Sequence, residues 1–182
     1  ANIIADNTDF VRGGISGGWK MVVVYENPNL PNDKYITTFD GYAGIASGET
    51  LDIPVSGFTT LPAPFPVRAN MGVAALEGDN ALEGDALQIN ANGTFTTLIN
   101  DQNSNRNFFN SSITIDDNPV LDRNPNSLNT LGWDVDYFNI PNGTDNSIIP
   151  NDATSAILRA SSSQDKYDIF FTSFDVDIIA PH

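Results

Sequence analysis

Hydrophobic residues occur along the whole chain in short runs, and clusters of glycine, proline, asparagine and aspartate separate these runs. This spacing predicts β-strands connected by tight turns. Residues 19–25 form a nearly continuous apolar run rich in β-branched residues, which predicts a central strand covered on both faces with Trp19 in the core. Further strands are predicted at residues 35–40, 51–55 and 69–76.

In the second half of the chain, apolar and polar residues alternate with the period of a strand that has one buried face. Trp133 falls on the apolar face of such a strand and Asp134 and Asp136 fall on the other face. The pattern therefore predicts that Trp133 packs in the core and that the two aspartates face solvent. Asp175 and Asp177 are predicted to lie on the solvated face of a later strand in the same way.

A β-hairpin is predicted where residues 87–89 and 95–98 flank an Asn-Gly pair, which suits a tight type I′ turn. No segment has a sustained 3.6-residue period, so little or no helix is expected. The sequence predicts an all-β fold, an antiparallel two-sheet β-sandwich with a jelly-roll-like arrangement of about ten strands. We expect residues 1–182 to form a single β-sandwich module, a segment excised from a longer chain.

The composition excludes several kinds of chemistry. The 182 residues carry 23 acidic and 8 basic side chains, and the formal charge of −15 opposes binding to nucleic acid or insertion into an anionic membrane. The chain has no cysteine and its one histidine is His182, which excludes thiolate chemistry and argues against histidine-based catalysis. The 22 asparagines and 19 aspartates favour turns and offer the hard oxygen ligands that calcium prefers.

Two acidic segments are candidates for calcium binding. A Glu-Gly-Asp sequence occurs twice, and its four carboxylates repel one another unless a cation compensates them. These candidate ligands are Glu77, Asp79, Glu83 and Asp85. Asp101 and Asn103 have the alternate-residue spacing of the first half of a calcium loop, although the glycine and glutamate that complete such a loop are missing. Solvated polar loops without an ion are the alternative interpretation of both segments.

Aromatic side chains next to asparagine and aspartate suggest a platform for sugar rings. Tyr35, Tyr42 and Tyr167 are flanked by polar residues, so we expect them to be exposed and to be the candidate ligand-binding residues. A pair of carboxylates facing each other across a cleft would instead indicate a glycosidase. With 23 acidic residues, the sequence cannot single out such a pair.

Six sequence blocks occur in an order that is familiar from one family. They are residues 18–28 (GWKMVVVYENP), 39–44 (FDGYAG), 77–87 (EGD and GDAL), 107–113 (NFFNSSI), 123–136 (RNPN and LGWDVD) and 175–181 (DVDIIAP). Together they resemble a module of very large, repeat-rich secreted surface proteins of the Bacteroidota, among them gliding-motility adhesins exported by type IX secretion. The resemblance implies a non-enzymatic β-sandwich in an extracellular stalk, followed by an immunoglobulin-like repeat, and it supplies no catalytic or binding residues.

We therefore expect a non-enzymatic module of a bacterial cell-surface adhesin, which serves adhesion or acts as a calcium-stiffened stalk segment. Its expected partners are a surface glycan or another extracellular ligand and the neighbouring domains of the same chain. The alternative is a secreted carbohydrate-binding or carbohydrate-active domain that uses a carboxylate pair. A third hypothesis is self-assembly, in which calcium bridges the acidic subunits.

Overall fold

Ten β-strands form the fold of residues 19–179, the part of the chain that the computed structural model describes. No helix occurs among these residues, and none of them therefore forms a helix long and apolar enough to cross a membrane. The strands are β1 (Asp33–Ile45), β2 (Thr50–Ser56), β3 (Ala69–Leu76), β4 (Asp85–Asn90), β5 (Thr96–Thr97), β6 (Ile113–Ile115), β7 (Asn118–Pro119), β8 (Trp133–Asn139), β9 (Ser155–Ser162) and β10 (Tyr167–Ile178). The predicted all-β class is confirmed.

The strands are arranged as nested antiparallel pairs in two sheets. β1 pairs with β10, β2 with β9, β3 with β8, and β4 with β5. Alternate pairs lie in alternate sheets, with the orders β1-β10-β3-β8-β6-β7 and β2-β9-β4-β5. Apart from the short strands β6 and β7, this is the order of a jelly-roll sandwich. The single parallel pair joins β6 to β8.

The core lies between the two sheets and follows the two-residue period of the strands. In β4 and β9, every second side chain is buried. β4 also pairs with β5, which confirms the predicted hairpin. Phe174 and Val176 of β10 face the same core from the other sheet. Loop residues complete it, since Phe108 and Phe109 are fully buried although they belong to no strand.

The prediction of a central strand at residues 19–25 is wrong. This segment belongs to neither sheet, and the side chains of Trp19 and Tyr25 are 66% and 76% exposed. Its anchor is Lys20, whose Nζ lies 2.6 Å from Asp40 Oδ1 and donates to the Phe170 carbonyl oxygen at 2.8 Å. The physical reason is that β10, β3, β8 and β6 already occupy the interior positions of the larger sheet, so the apolar run lies outside the ladder of hydrogen bonds.

The predicted orientation of β8 is also wrong. Asp134, Asp136 and Phe138 point into the sandwich, whereas Trp133 and Tyr137 point outward. Trp133 is half-buried and packs on Phe170, with ring centroids 5.2 Å apart. Alternation along a strand separates its two faces but does not identify the inner one, and here a loop supplies hydrogen bonds that allow the inner face to be acidic.

The aspartates of β10 are not solvated either. Asp175 and Asp177 are only 8% and 3% exposed on the outer face of the larger sheet. The Lys34 ammonium on β1 covers them, at 2.7 Å from Asp175 Oδ1 and 3.1 Å from Asp177 Oδ1. Tyr137 of β8 donates a further hydrogen bond to Asp175 Oδ2 at 3.0 Å. A polar network across three strands therefore replaces water on this face.

Candidate functional site

An asparagine-rich loop covers one end of the sandwich. We call residues 99–112, which connect β5 to β6, the asparagine cap. Phe108 and Phe109 anchor the cap in the core, where Phe108 packs on Phe138 with ring centroids 5.5 Å apart. Asn103 forms a tight turn in the cap, since its backbone N–H donates to Asn100 Oδ1 and its side chain donates to the Phe108 carbonyl oxygen.

The cap lies over four buried acidic residues, and two of them bind its backbone directly. Asp85 Oδ1 accepts the N–H groups of Phe108 at 2.6 Å and Phe109 at 2.8 Å. Asp134 accepts the N–H groups of Ser111 at 3.0 Å and Ser112 at 3.1 Å, one on each oxygen. These charge-assisted bonds hold the loop on the end of the sandwich and explain why acids face inward here.

The other two acids are less completely satisfied. Asp136 Oδ1 accepts the Thr114 hydroxyl at 2.5 Å, and Asp165 Oδ1 accepts the N–H of Lys166 at 2.6 Å. The second oxygen of each carboxylate is buried without a hydrogen-bond partner. Asp165 lies in the turn between β9 and β10, three residues after Ser162, which is paired with Asp85.

Burial dominates the electrostatics of these acids. It raises the pKa of Asp85 to about 6, against the lowering effect of the two backbone N–H groups, and the charge of Asp165 adds to the rise. It raises the pKa of Asp136 to about 7, although the side chains of Thr114 and Asn103 act in the opposite direction. Burial likewise raises the pKa values of Asp134 and Asp165. The site therefore favours a proton or a cation near neutral pH.

The described residues contain eight buried side-chain nitrogen or oxygen atoms without a hydrogen-bond partner, and all of them belong to the cap or to the acids beneath it. Six are carboxylate or amide oxygens. An amide oxygen and an ionised carboxylate oxygen accept hydrogen bonds but cannot donate them. These six are Asp85 Oδ2, Asn103 Oδ1, Asn107 Oδ1, Asn110 Oδ1, Asp136 Oδ2 and Asp165 Oδ2; the remaining two are Asn100 Nδ2 and Ser112 Oγ. Such a concentration of oxygens that lack donors is typical of a cation or water site.

The residues predicted as calcium ligands do not converge. Asp85 and Asn103 are fully buried in the site, but Asp79 and Asp101 are exposed and Glu83 forms a surface ion pair with Arg106 at 3.0 Å. Within residues 19–179, no three acidic, histidine or cysteine side chains surround one point in a way that could hold a metal. Any cation here would therefore need amide or main-chain oxygens as well.

Part of the Glu-Gly-Asp repeat has a packing role. Glu77 is half-buried with a positive φ of 65°, and a side chain on Gly78 would collide with the Asp134 carboxylate and the Phe109 carbonyl oxygen. The Gly78 carbonyl oxygen also accepts the Ser111 hydroxyl at 2.5 Å. The first glycine of the repeat therefore allows the cap to approach the end of β3.

Sequence reasoning missed Asp134, Asp136, Asp165 and Asn107 as residues of this site. Asp136 was assigned to solvent because it alternates with apolar neighbours, and Asp165 stands among polar residues that look like an ordinary turn. One signal was present: asparagine recurs four times at residues 103–110, around two adjacent phenylalanines. Two aromatic residues inside a polar loop indicate a loop that is anchored in a core.

The three tyrosines predicted to bind a ligand have different environments. Tyr42 is 68% exposed, as expected. The hydrogen bond to Asp168 is the main cause that raises the pKa of Tyr42 to about 12, and partial burial and the charge of Asp168 add to the rise. Tyr35 is half-buried against Phe58 and donates to the Ser56 carbonyl oxygen at 2.9 Å. The predicted exposure of Tyr167 is wrong, because its ring is completely buried in the core.

Shallow cavities open on the surface of residues 19–179, and two of them border residues of interest. The larger, of about 470 Å³, is bordered by Trp133, Leu131 and Asn129 and by Arg123, whose guanidinium donates to the carbonyl oxygens of Val120, Pro125 and Ser127. Its lining includes no acidic residue. The smaller, of about 100 Å³, lies beside Tyr42 and contains one carboxylate, Asp40.

Comparison with known proteins adds structural neighbours but no family. No family model and no curated protein sequence matches the chain. Among solved structures, the chain is similar to the crystal structure of BuGH86E322Q in complex with neoagarooctaose, with 11% identity, a TM-score of 0.38, and coverage of 79% of this chain and 19% of that one. It is also similar to the VP2 subviral particle of infectious bursal disease virus, with 13% identity, a TM-score of 0.34, and coverage of 88% and 42%. The chain thus spans less than half of either neighbour, and similarity at this level carries no functional argument.

Proposed function

We propose that this chain is a non-enzymatic module of a large secreted surface protein of bacteria, in which it forms a segment of an extracellular stalk. One observation carries the proposal, namely the path of the chain through the fold. Lys20 is fixed beside Phe170, near the start of β10, whereas Ile178 at the end of β10 pairs with Asp33. The eight residue-to-residue steps from Phe170 to Ile178 span roughly 26 Å at about 3.3 Å per step.

Residues 20 and 178 therefore lie well apart along the strand direction of the larger sheet. A module through which the chain passes in this way can be linked to its neighbours in series, as a stalk requires. The resemblance of the sequence blocks to adhesin modules of the Bacteroidota supports the same function and an extracellular location at the cell surface. The acid-rich site under the asparagine cap supports calcium as the ion that stiffens the module.

The function is tested by pulling single molecules with handles at both ends of the chain. We expect cooperative unfolding in one step, at a force that is higher in calcium than in chelator because an ion bound only to the folded state stabilises it. Unfolding through several weak steps, in calcium and in chelator alike, would overturn the stalk proposal. Release of reducing ends from polysaccharides by the purified chain would overturn the non-enzymatic part.

The second candidate is carbohydrate binding, which the half-exposed Trp133 at the larger cavity favours. A tryptophan face with neighbouring asparagine and threonine side chains can stack on a sugar ring and bind its hydroxyls. The test is a glycan array probed with the wild-type chain and with Trp133→Ala, Tyr42→Ala and the control Leu82→Ala. Glycan binding that is lost in Trp133→Ala supports binding at the larger cavity, and glycan binding that is lost in Tyr42→Ala supports binding at the smaller one. No glycan binding by the wild type contradicts this candidate function.

A further inference from the structure

Two of the three incompletely satisfied carboxylates under the asparagine cap are those of Asp85 and Asp165. Asp85 is 0% exposed and Asp165 is 2% exposed, and in each of them Oδ1 accepts backbone N–H groups while Oδ2 has no partner. Asp85 is the first residue of β4 and is paired with Ser162, the last residue of β9. Asp165 follows three residues later in the turn to β10, so the two carboxylates belong to one small region.

The cap places an amide oxygen in the same region. Asn107 precedes Phe108, whose N–H binds Asp85, and the carbonyl oxygen of Arg106 accepts the N–H of Gly84 at 2.5 Å. The Asn107 amide nitrogen donates to the carbonyl oxygens of Asp79 at 3.1 Å and of Asn80 at 3.2 Å. These two bonds fix the orientation of the amide, and its buried Oδ1 is left without a donor.

Two carboxylate oxygens and one amide oxygen in one buried region all need a positive partner. No lysine or arginine side chain forms an ion pair with Asp85 or Asp165 among the ion pairs of residues 19–179. A hard cation would satisfy all three oxygens at once, and the cap contains two further amide oxygens without a donor, those of Asn103 and Asn110. Calcium fits an irregular set of protein oxygens better than magnesium does, because magnesium demands a regular octahedron and retains several waters.

We propose that Asp85, Asp165 and Asn107 bind one calcium ion, which ties the turn between β9 and β10 to the asparagine cap. This proposal deepens the stalk function and rests on it for the extracellular calcium. The ion joins three parts of the chain that are distant in sequence: the start of β4, the cap and the turn before β10. It thereby holds the phenylalanines of the cap in the core of the sandwich.

The test is calcium titration of the chain after treatment with chelator, followed by calorimetry and by thermal unfolding. We expect one bound calcium per chain and a Tm that rises with the logarithm of free calcium. Asp165→Asn and Asn107→Ala should weaken calcium binding by about tenfold or more. Asp165→Asn should keep or raise the Tm in chelator, because it removes a buried negative charge, so its loss of binding cannot be attributed to unfolding.

The control variant is Asp122→Asn, which removes an exposed carboxylate of the same chemistry outside the cap. It should bind calcium like the wild type. The proposal is overturned if the wild type binds no calcium, if Asp165→Asn and Asn107→Ala still bind it normally, or if magnesium raises the Tm equally at the same concentration. If the wild type binds no calcium and Asp165→Asn has a higher Tm than the wild type in chelator, a shared proton satisfies the carboxylates instead.

The outcome is separable from that of the stalk proposal. A chain that binds calcium through these residues but unfolds in weak steps would overturn the stalk and leave the calcium site standing. A chain that unfolds cooperatively at the same force in calcium and chelator, and binds no calcium, would overturn the calcium site alone.

Discussion

The ring of Phe109 stacks on the ring of Tyr167, with centroids 4.4 Å apart and planes inclined by 28°. The contact joins the asparagine cap to the first residue of β10, and both side chains are completely buried. The cap is therefore part of the core and not a surface loop laid over a finished sandwich.

Phe109→Ala should lower the free energy of unfolding by about 3 to 5 kcal/mol, because it leaves a cavity where the cap meets β10. Urea denaturation of the variant against wild type gives the value. Leu131→Ala is the matched control, since Leu131 is 88% exposed, and it should leave the stability nearly unchanged. A loss below about 1 kcal/mol in Phe109→Ala would show that the cap does not contribute to the core.

Stability without calcium should fall as the pH rises towards neutrality. The pKa of Asp136 is about 7 in the folded chain, against about 3.9 in an unfolded one. The folded state therefore binds more protons between these values. The stabilisation that the proton on Asp136 gives the folded state is complete below about pH 4. It declines by roughly 1.4 kcal/mol per pH unit as the pH rises, and it is lost above about pH 7.

Asp136→Asn isolates this contribution, because asparagine keeps an oxygen for the Thr114 hydroxyl but carries no charge. Urea unfolding in chelator should give a smaller difference between pH 5 and pH 8 for the variant than for wild type. Equal pH dependence in the two proteins would show that Asp136 does not titrate in this range. Asp122→Asn, which removes an exposed acid, should behave like the wild type.

Lys34→Met should lower the free energy of unfolding by about 3 kcal/mol, because it leaves the carboxylates of Asp175 and Asp177 buried without a counter-charge. Burial lowers the pKa of Lys34, but the hydrogen bonds and charges of these two aspartates outweigh it and raise the value above its usual range. Denaturant unfolding at neutral pH measures the effect. Adding Asp177→Asn to Lys34→Met should restore part of the stability.

The matched control for Lys34 is Arg159→Met, which breaks the ion pair with Asp52 on the surface of the smaller sheet. Solvent screens that pair, so its loss should matter far less than the loss of Lys34. Equal effects of the two substitutions would contradict the role assigned to burial on the outer face of β10.

Lys20→Met should release residues 19–25 without unfolding the sandwich. The segment contributes no strand, and the described contacts of the Lys20 ammonium with Asp40 and the Phe170 carbonyl oxygen are lost in the variant. We expect faster cleavage by chymotrypsin after Trp19 or Tyr25 and a Tm close to that of wild type. Lys166→Met is the control, and cleavage at the wild-type rate in Lys20→Met would show that other contacts hold the segment.

The sequence pattern predicted the fold class and most strands for simple reasons. Polar and apolar residues alternate in β4, and the predicted hairpin to β5 forms with Gln88 opposite Thr97. β3 and β2 lie where apolar runs predicted them. These features depend on local periodicity and turn residues, which a single sequence contains.

The errors arose where distant residues decide the outcome. Asp134 is an inner residue only because the N–H groups of Ser111 and Ser112 bind it, and those residues are more than 20 positions away. Tyr167 is flanked by polar residues but meets Phe109, which no local pattern indicates. The candidate site was located in part, since Asp85 and Asn103 belong to it. The reversed face of β8 hid Asp134 and Asp136, and Asp165 lies in a polar turn that no local pattern distinguishes.

The inward acids also change how the molecule presents itself to other molecules. The sequence has a formal charge of −15, but Asp85, Asp134, Asp136 and Asp165 hold their carboxylates inside the sandwich, where burial raises their pKa values and favours a bound proton. The electric field outside the molecule is therefore weaker than the composition implies, and its electrophoretic mobility should be lower accordingly. Two copies of the protein should therefore approach each other more closely in solution than a count of their acids would permit.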